Sequence, residues 1–126
     1  MNLDNLPIID NYEIDATGAT ARWPDTTHYK VEVPAGWTYW FVAGNCYVTQ
    51  NGTCDVMLYN ASDKLVMYLA DYAAGTGHKP FPDATYGPGL KRPIKMTPGM
   101  YIQATFGAAQ DASAYATCYV YATKGP

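Results

Sequence analysis

The chain has 126 residues, a net charge of −3 and only 15 % charged side chains. That length suits one domain with a real core, and a hydrophobic content of 48 % excludes a disordered chain. With no basic run, nucleic-acid binding through phosphate neutralisation lacks its main driving force. No apolar run approaches the roughly 20 residues of a membrane span. The opening MNLDNLPIID lacks the basic and apolar segments of a signal peptide, so synthesis in a cytoplasm without export by that route is expected. Twelve Tyr and three Trp supply much of the apolar content. Tyr packs with its ring and satisfies its hydroxyl, so such a chain either commits surface to contacts or lays Tyr on the solvent faces of a small sandwich.

Residues 1–27 read as an N-terminal arm. Leu3, Leu6, Ile8 and Ile9 are scattered among Asn and Asp, Pro7 breaks regularity, and Tyr12 to Asp15 suit one short strand. The arm either folds along its own domain or docks on a neighbouring subunit. Residues 28–126 form the domain proper. Tyr29, Val31 and Val33 alternate with His28, Lys30 and Glu32, the pattern of a strand with one wet face. Pro34-Ala35-Gly36 makes a tight corner. Residues 37–42 are apolar on both faces, as a central strand requires. Asn51-Gly52 reads as a type I′ hairpin tip, with Val56 and Leu58 facing one side of the strand that follows. A polar turn, Ala61-Ser62-Asp63-Lys64, precedes a strand whose inward set is Leu65, Met67 and Leu69.

Residues 73–91 change character. Gly and Pro recur every few positions, so the expectation is a long loop without strand or helix, carrying His78, Phe81 and Tyr86 as a contact surface. After a short strand, Thr97-Pro98-Gly99-Met100 forms a second tight turn. Ile102, Ala104 and Phe106 then point inward, and in the last strand Cys118, Val120 and Ala122 share one face. About eight short strands with such turn spacing predict an all-β, antiparallel, jelly-roll-like β-sandwich.

Three cysteines cannot all pair within the chain. In the predicted hairpin Thr49 opposes Cys54 and Cys46 opposes Met57, so Cys46 and Cys54 fall on opposite faces and all three thiols are expected free and buried. No CxxC or His-rich spacing suggests zinc. GxSxG, HExxH, P-loop and GxGxxG patterns are absent, and the Asp residues sit at turns or strand edges, where turn chemistry explains them. The expectation is a non-enzyme without cofactor or metal. Trp37, Tyr39, Trp40 and Phe41 on one strand, and Tyr119 and Tyr121 on another, are either buried or an exposed row suited to sugars or to a protein partner.

The run Val31-Glu32-Val33-Pro34-Ala35-Gly36-Trp37, the Asn60-Ala61-Ser62-Asp63 turn after a strand, and Thr97-Pro98-Gly99-Met100-Tyr101-Ile102 before a late strand resemble the small β-sandwich structural proteins of tailed bacteriophage particles. These include head decoration (cement) proteins and some tail or fibre modules. The resemblance implies a non-catalytic protein made in the host cytoplasm. It further implies assembly on the outer surface of the virion capsid, often as a homotrimer, against the major capsid protein, with no nucleic-acid or membrane partner. Leu3, Leu6, Ile8 and Ile9 in the arm, and Phe81 and Tyr86 in the loop, are the expected contacts. The alternative is a receptor- or glycan-binding module of a tail or fibre.

Overall fold

The computed structural model describes residues 10–15, 27–86 and 93–124. Every helix or strand in them is a strand: β1 (Asp10–Asp15), β2 (Thr27–Glu32), β3 (Trp37–Val48), β4 (Cys54–Tyr59), β5 (Leu65–Tyr72), β6 (Gly77–Phe81), β7 (Ile94–Met96), β8 (Tyr101–Phe106) and β9 (Tyr115–Lys124). Hydrogen bonding sorts them into two antiparallel sheets. One has the order β1-β9-β3-β6, with β7 also paired to β3, and the other has the order β2-β8-β4-β5. Their inner faces close over one core, so the protein is an antiparallel β-sandwich.

The inner faces follow the alternation read from sequence. Val31 and Val33, Val56 and Leu58, the β8 set of Ile102, Ala104 and Phe106, and the β9 set of Cys118, Val120 and Ala122 are all buried. The doubly apolar strand β3 lies inside its sheet, between β9 on one side and β6 and β7 on the other. Tyr39 and Phe41 enter the core, and Trp40 is buried on the opposite face, with the Lys95 ammonium 5.8 Å from its ring. A register shift against β9 between Phe41 and Ala43 lets Val42 bulge outward.

Both glycine corners form. Gly36 (φ 84°) and Gly99 (φ 88°) sit in the left-handed region that a type II turn needs at its third residue. The turns close through Trp37 N–H to Pro34 O at 3.3 Å and Met100 N–H to Thr97 O at 3.0 Å. They are tied together, because Val33 N–H donates to Met100 O and Gly99 N–H to Val33 O, each at 3.0 Å. In the polar turn, Asn60 Oδ1 accepts from the N–H groups of Ser62 and Lys64, which frees Asp63 to take a positive φ of 62°.

Three expectations are corrected. First, β3 and β4 lie in different sheets, so Asn51-Gly52 is a crossing between sheets and no hairpin tip. Gln110 accounts for this. Its Oε1 accepts from Thr49 N–H at 2.8 Å and Gln50 N–H at 3.0 Å, and its amide donates to Gln50 O at 3.1 Å. In a hairpin the Gln50 N–H and C=O would have paired with Thr53, so Gln110 takes the place of that pair. Cys46 and Cys54 therefore meet across the core; the thiols are free and buried as expected, for a different geometric reason. Second, residues 77–81 of the supposed loop form β6. Pro80 is tolerated there because β6 is an edge strand. Third, Leu65 faces outward. Register shifts against β4 at Val56/Met57 and Leu58/Tyr59 break the alternation of β5, leaving Leu69 and Ala70 both buried. Within residues 1–27, β1 runs antiparallel along β9 as the sheet edge, while Leu3, Leu6, Ile8 and Ile9 lie outside the described residues.

Candidate functional site

Phe81 is no contact residue. It is 1 % exposed, and its ring stacks on Phe41 at 5.8 Å and 10°. It lies directly on Gly44 of β3, where a Cβ would stand 2.1 Å from the ring. The burial follows from β6 pairing with β3, which turns Phe81 into the core. A glycine inside an aromatic strand marks a close approach, and Gly44 was the available signal for it. The hydroxyl of Tyr72 donates to Pro80 O, which joins β5 to β6 along one lateral edge of the sandwich.

Tyr86 is half-buried and stacks on Tyr68 of β5, with ring centroids 5.9 Å apart. Asp83 sets this geometry. Its Oδ1 accepts from the N–H groups of Thr85 and Tyr86, and its Oδ2 from Asp71 N–H, all at 2.9 Å. Its own N–H donates to Leu69 O at 3.0 Å. One buried carboxylate thus folds residues 83–86 against the outer rim of β5. Beside it, Asp55 and Asp71 face each other directly across β4 and β5. Burial first, then the hydrogen bond with Asp71 and its charge, push the Asp55 carboxyl up to about 6. The Tyr86 hydroxyl is also raised, by desolvation and then by the carboxylates of Asp71 and Asp83.

The clamp stops at Leu69. Beyond it Tyr86 still covers one face of Tyr68, and β5 then continues as the outermost strand of its sheet with large apolar side chains in solvent, Leu65 at 48 % and Val66 at 50 %. This strip was missed from sequence because nothing local announces the two bulges that turn Leu65 outward.

A second surface lies on the outer face of the five-stranded sheet. Val42 (43 % exposed) stands at the bulge, next to Tyr119 (46 % exposed), which is in register with Ala43. Farther along, Tyr47 stacks on Tyr115 at 5.5 Å and tilts against His78 at 5.0 Å, and the Asn45 amide pairs with His78 Nδ1 at 2.9 Å. Trp40 is buried and leaves the possible exposed aromatic row to Tyr residues. No family profile and no curated protein matches this chain. The residues themselves offer contact chemistry: aromatic and aliphatic surface in two places. Among the described residues no group of three His, Cys, Asp or Glu side chains is placed to hold a metal ion, and no helix is long and apolar enough to cross a membrane.

Proposed function

We propose that the protein is a non-enzymatic structural protein of a bacteriophage virion, a decoration or cement protein that lies on the outer surface of the capsid and bridges neighbouring major capsid protein subunits. The observation that carries this reading is the pair of exposed apolar surfaces on one small sandwich, the β5 rim and the Val42–Tyr119 face. Exposed clusters of large apolar side chains mark contact sites. Two of them in different places let one copy touch two neighbours at once. Many weak contacts then sum around a shell through effective concentration. The strand order also supports it, since with β7 set aside β1-β9-β3-β6 facing β2-β8-β4-β5 is the connectivity of a jelly roll.

Sedimentation with purified capsids of the parent phage tests the reading. The protein should pellet with shells and raise their thermal midpoint, and Tyr119→Lys should weaken both effects at least tenfold. A protein that stays in the supernatant at every concentration overturns it. Binding to a glycan array by the isolated protein would instead move the assignment to a receptor-binding module of a tail or fibre.

A further inference from the structure

Among the described residues, Trp40 Nε1 is the one buried side-chain nitrogen or oxygen without a hydrogen-bond partner. The indole is 5 % exposed and lies outside the core, on the outer face of the five-stranded sheet. An N–H closed off from water and lacking an acceptor destabilises a fold, because it has given up a hydrogen bond to solvent and gained none. A phenylalanine would fill the same flank of β3 without that loss. The group calls for an acceptor from outside the chain.

Its neighbours select the kind of acceptor. Trp40 is in register with Lys95 of β7 on one side and with Tyr121 of β9 on the other. The Lys95 ammonium stands 5.8 Å from the indole ring. Lys95 is exposed on a three-residue strand and has no counter-ion: among the described residues the ion pair is Lys30–Glu32, on the other sheet. The strands β3, β6, β7 and β9 contain no Asp or Glu at all. Only β1 in this sheet has them, and it places Glu13 in register with Tyr119, three strand spacings or ~14 Å from β7. An N–H without an acceptor beside an ammonium without a counter-ion fits an anion, and a carboxylate makes the stronger, charge-assisted hydrogen bonds to both. Val42 and Tyr119 continue the same face with exposed apolar surface. A small free carboxylate would leave that surface bare. An Asp or Glu side chain set among apolar residues of a protein covers it.

We infer that Trp40 and Lys95 form a seat for one acidic side chain of a protein partner, with Val42 and Tyr119 packing against apolar residues beside it. On docking, the Lys95 ammonium leaves the indole ring for the carboxylate, which accepts from Trp40 Nε1–H and from Lys95 Nζ. The inference rests on the reading of the Val42–Tyr119 face as a contact surface and adds the chemistry of what docks there. It does not require that the partner be a capsid.

Nitrogen-labelled tryptophan NMR on the full chain tests it. The chain has three indole N–H signals, from Trp23, Trp37 and Trp40; Trp40→Phe assigns the relevant one, and Trp23→Phe with Trp37→Phe assign it by elimination if that variant fails to fold. The probe is the peptide Leu-Asp-Leu, acetylated and amidated at its ends, with Leu-Asn-Leu as its neutral control. Millimolar Leu-Asp-Leu should move the Trp40 indole signal downfield and leave the other two in place, and Leu-Asn-Leu should move none. Lys95→Gln, at an exposed position, should weaken the Asp peptide about tenfold, the worth of one charged hydrogen bond. A Trp40 signal that does not move, one that moves equally with the neutral peptide, or equal binding by Lys95→Gln overturns the inference. So does a long-lived water found on the Trp40 indole proton that persists when the peptide is added. Capsid sedimentation separates the two readings. Peptide binding by a protein that ignores shells keeps the carboxylate seat and removes capsid decoration, whereas shells that pellet Lys95→Gln as well as the unaltered protein keep decoration and remove the seat.

Discussion

Replacing Phe81 distinguishes a core residue from a contact residue. The ring is fully enclosed, stacked on Phe41 and seated on Gly44. Phe81→Ala should cost about 3–5 kcal/mol, the range for emptying a buried phenylalanine site, against a total stability of about 5–15 kcal/mol for a typical domain. The converse perturbation is Gly44→Ala. Its methyl would meet Phe81 Cζ at 2.1 Å and Thr117 O at 2.6 Å, an overpacking cost of about 1–3 kcal/mol or more. Combined, the two should couple. Removing the ring relieves the first clash and leaves the second, because Thr117 O is backbone, so the double variant should recover about 1 kcal/mol or more relative to the sum. Urea unfolding followed by tryptophan fluorescence measures all three, with the midpoint falling and the m-value unchanged. A loss below about 1 kcal/mol for Phe81→Ala, or strict additivity in the cycle, would refute the packing of β6 on β3 described here.

Three further outcomes follow from the side-chain environments. Asp55 keeps a proton in the folded state that the unfolded chain releases, so its contribution is present below pH 3.8 and is lost as pH rises through about 6. Because the pair with Asp71 is partly open to solvent, screening leaves about 1 kcal/mol of the span. Asp55→Asn should therefore stabilise the protein at pH 7 and flatten the slope of thermal midpoint against pH between 4 and 6; a steeper slope in the variant contradicts this. Burial pushes the Cys118 thiol up to about 12, and contact with Cys54 together with burial raises Cys46. Ellman's reagent at pH 8 should thus find no reactive thiol in the native protein and all three after denaturation, and prompt labelling of the native form counts against a buried trio. Gln110→Ala removes the acceptor of the Thr49 and Gln50 N–H groups and should cost about 1–3 kcal/mol. Amide exchange should quicken at those two positions, and unchanged exchange there dismisses Gln110 as the pin of the crossing.

The amino-acid sequence by itself determined what is local. Pro34-Ala35-Gly36 and Thr97-Pro98-Gly99 specify their corners because glycine takes a positive φ at little steric cost. The period-two patterns of β8 and β9 specify which side chains face inward, since successive side chains on a strand point to opposite faces. Tertiary structure decided which strands pair. A backbone ladder is the same for every residue, so Asn51-Gly52 could not announce that β4 would leave β3 for the other sheet; a glutamine some 60 positions away took the hydrogen bonds that Gln50 would have made in a hairpin. The fate of residues 77–81 was likewise settled by pairing with β3 over a glycine that admits the Phe81 ring. The exposed rim of β5 arose from two bulges whose positions depend on the register of β5 against β4, which exists only in the folded sheet. Contact surfaces are therefore harder to read from this chain than its fold, because a surface depends on what neighbouring strands leave uncovered.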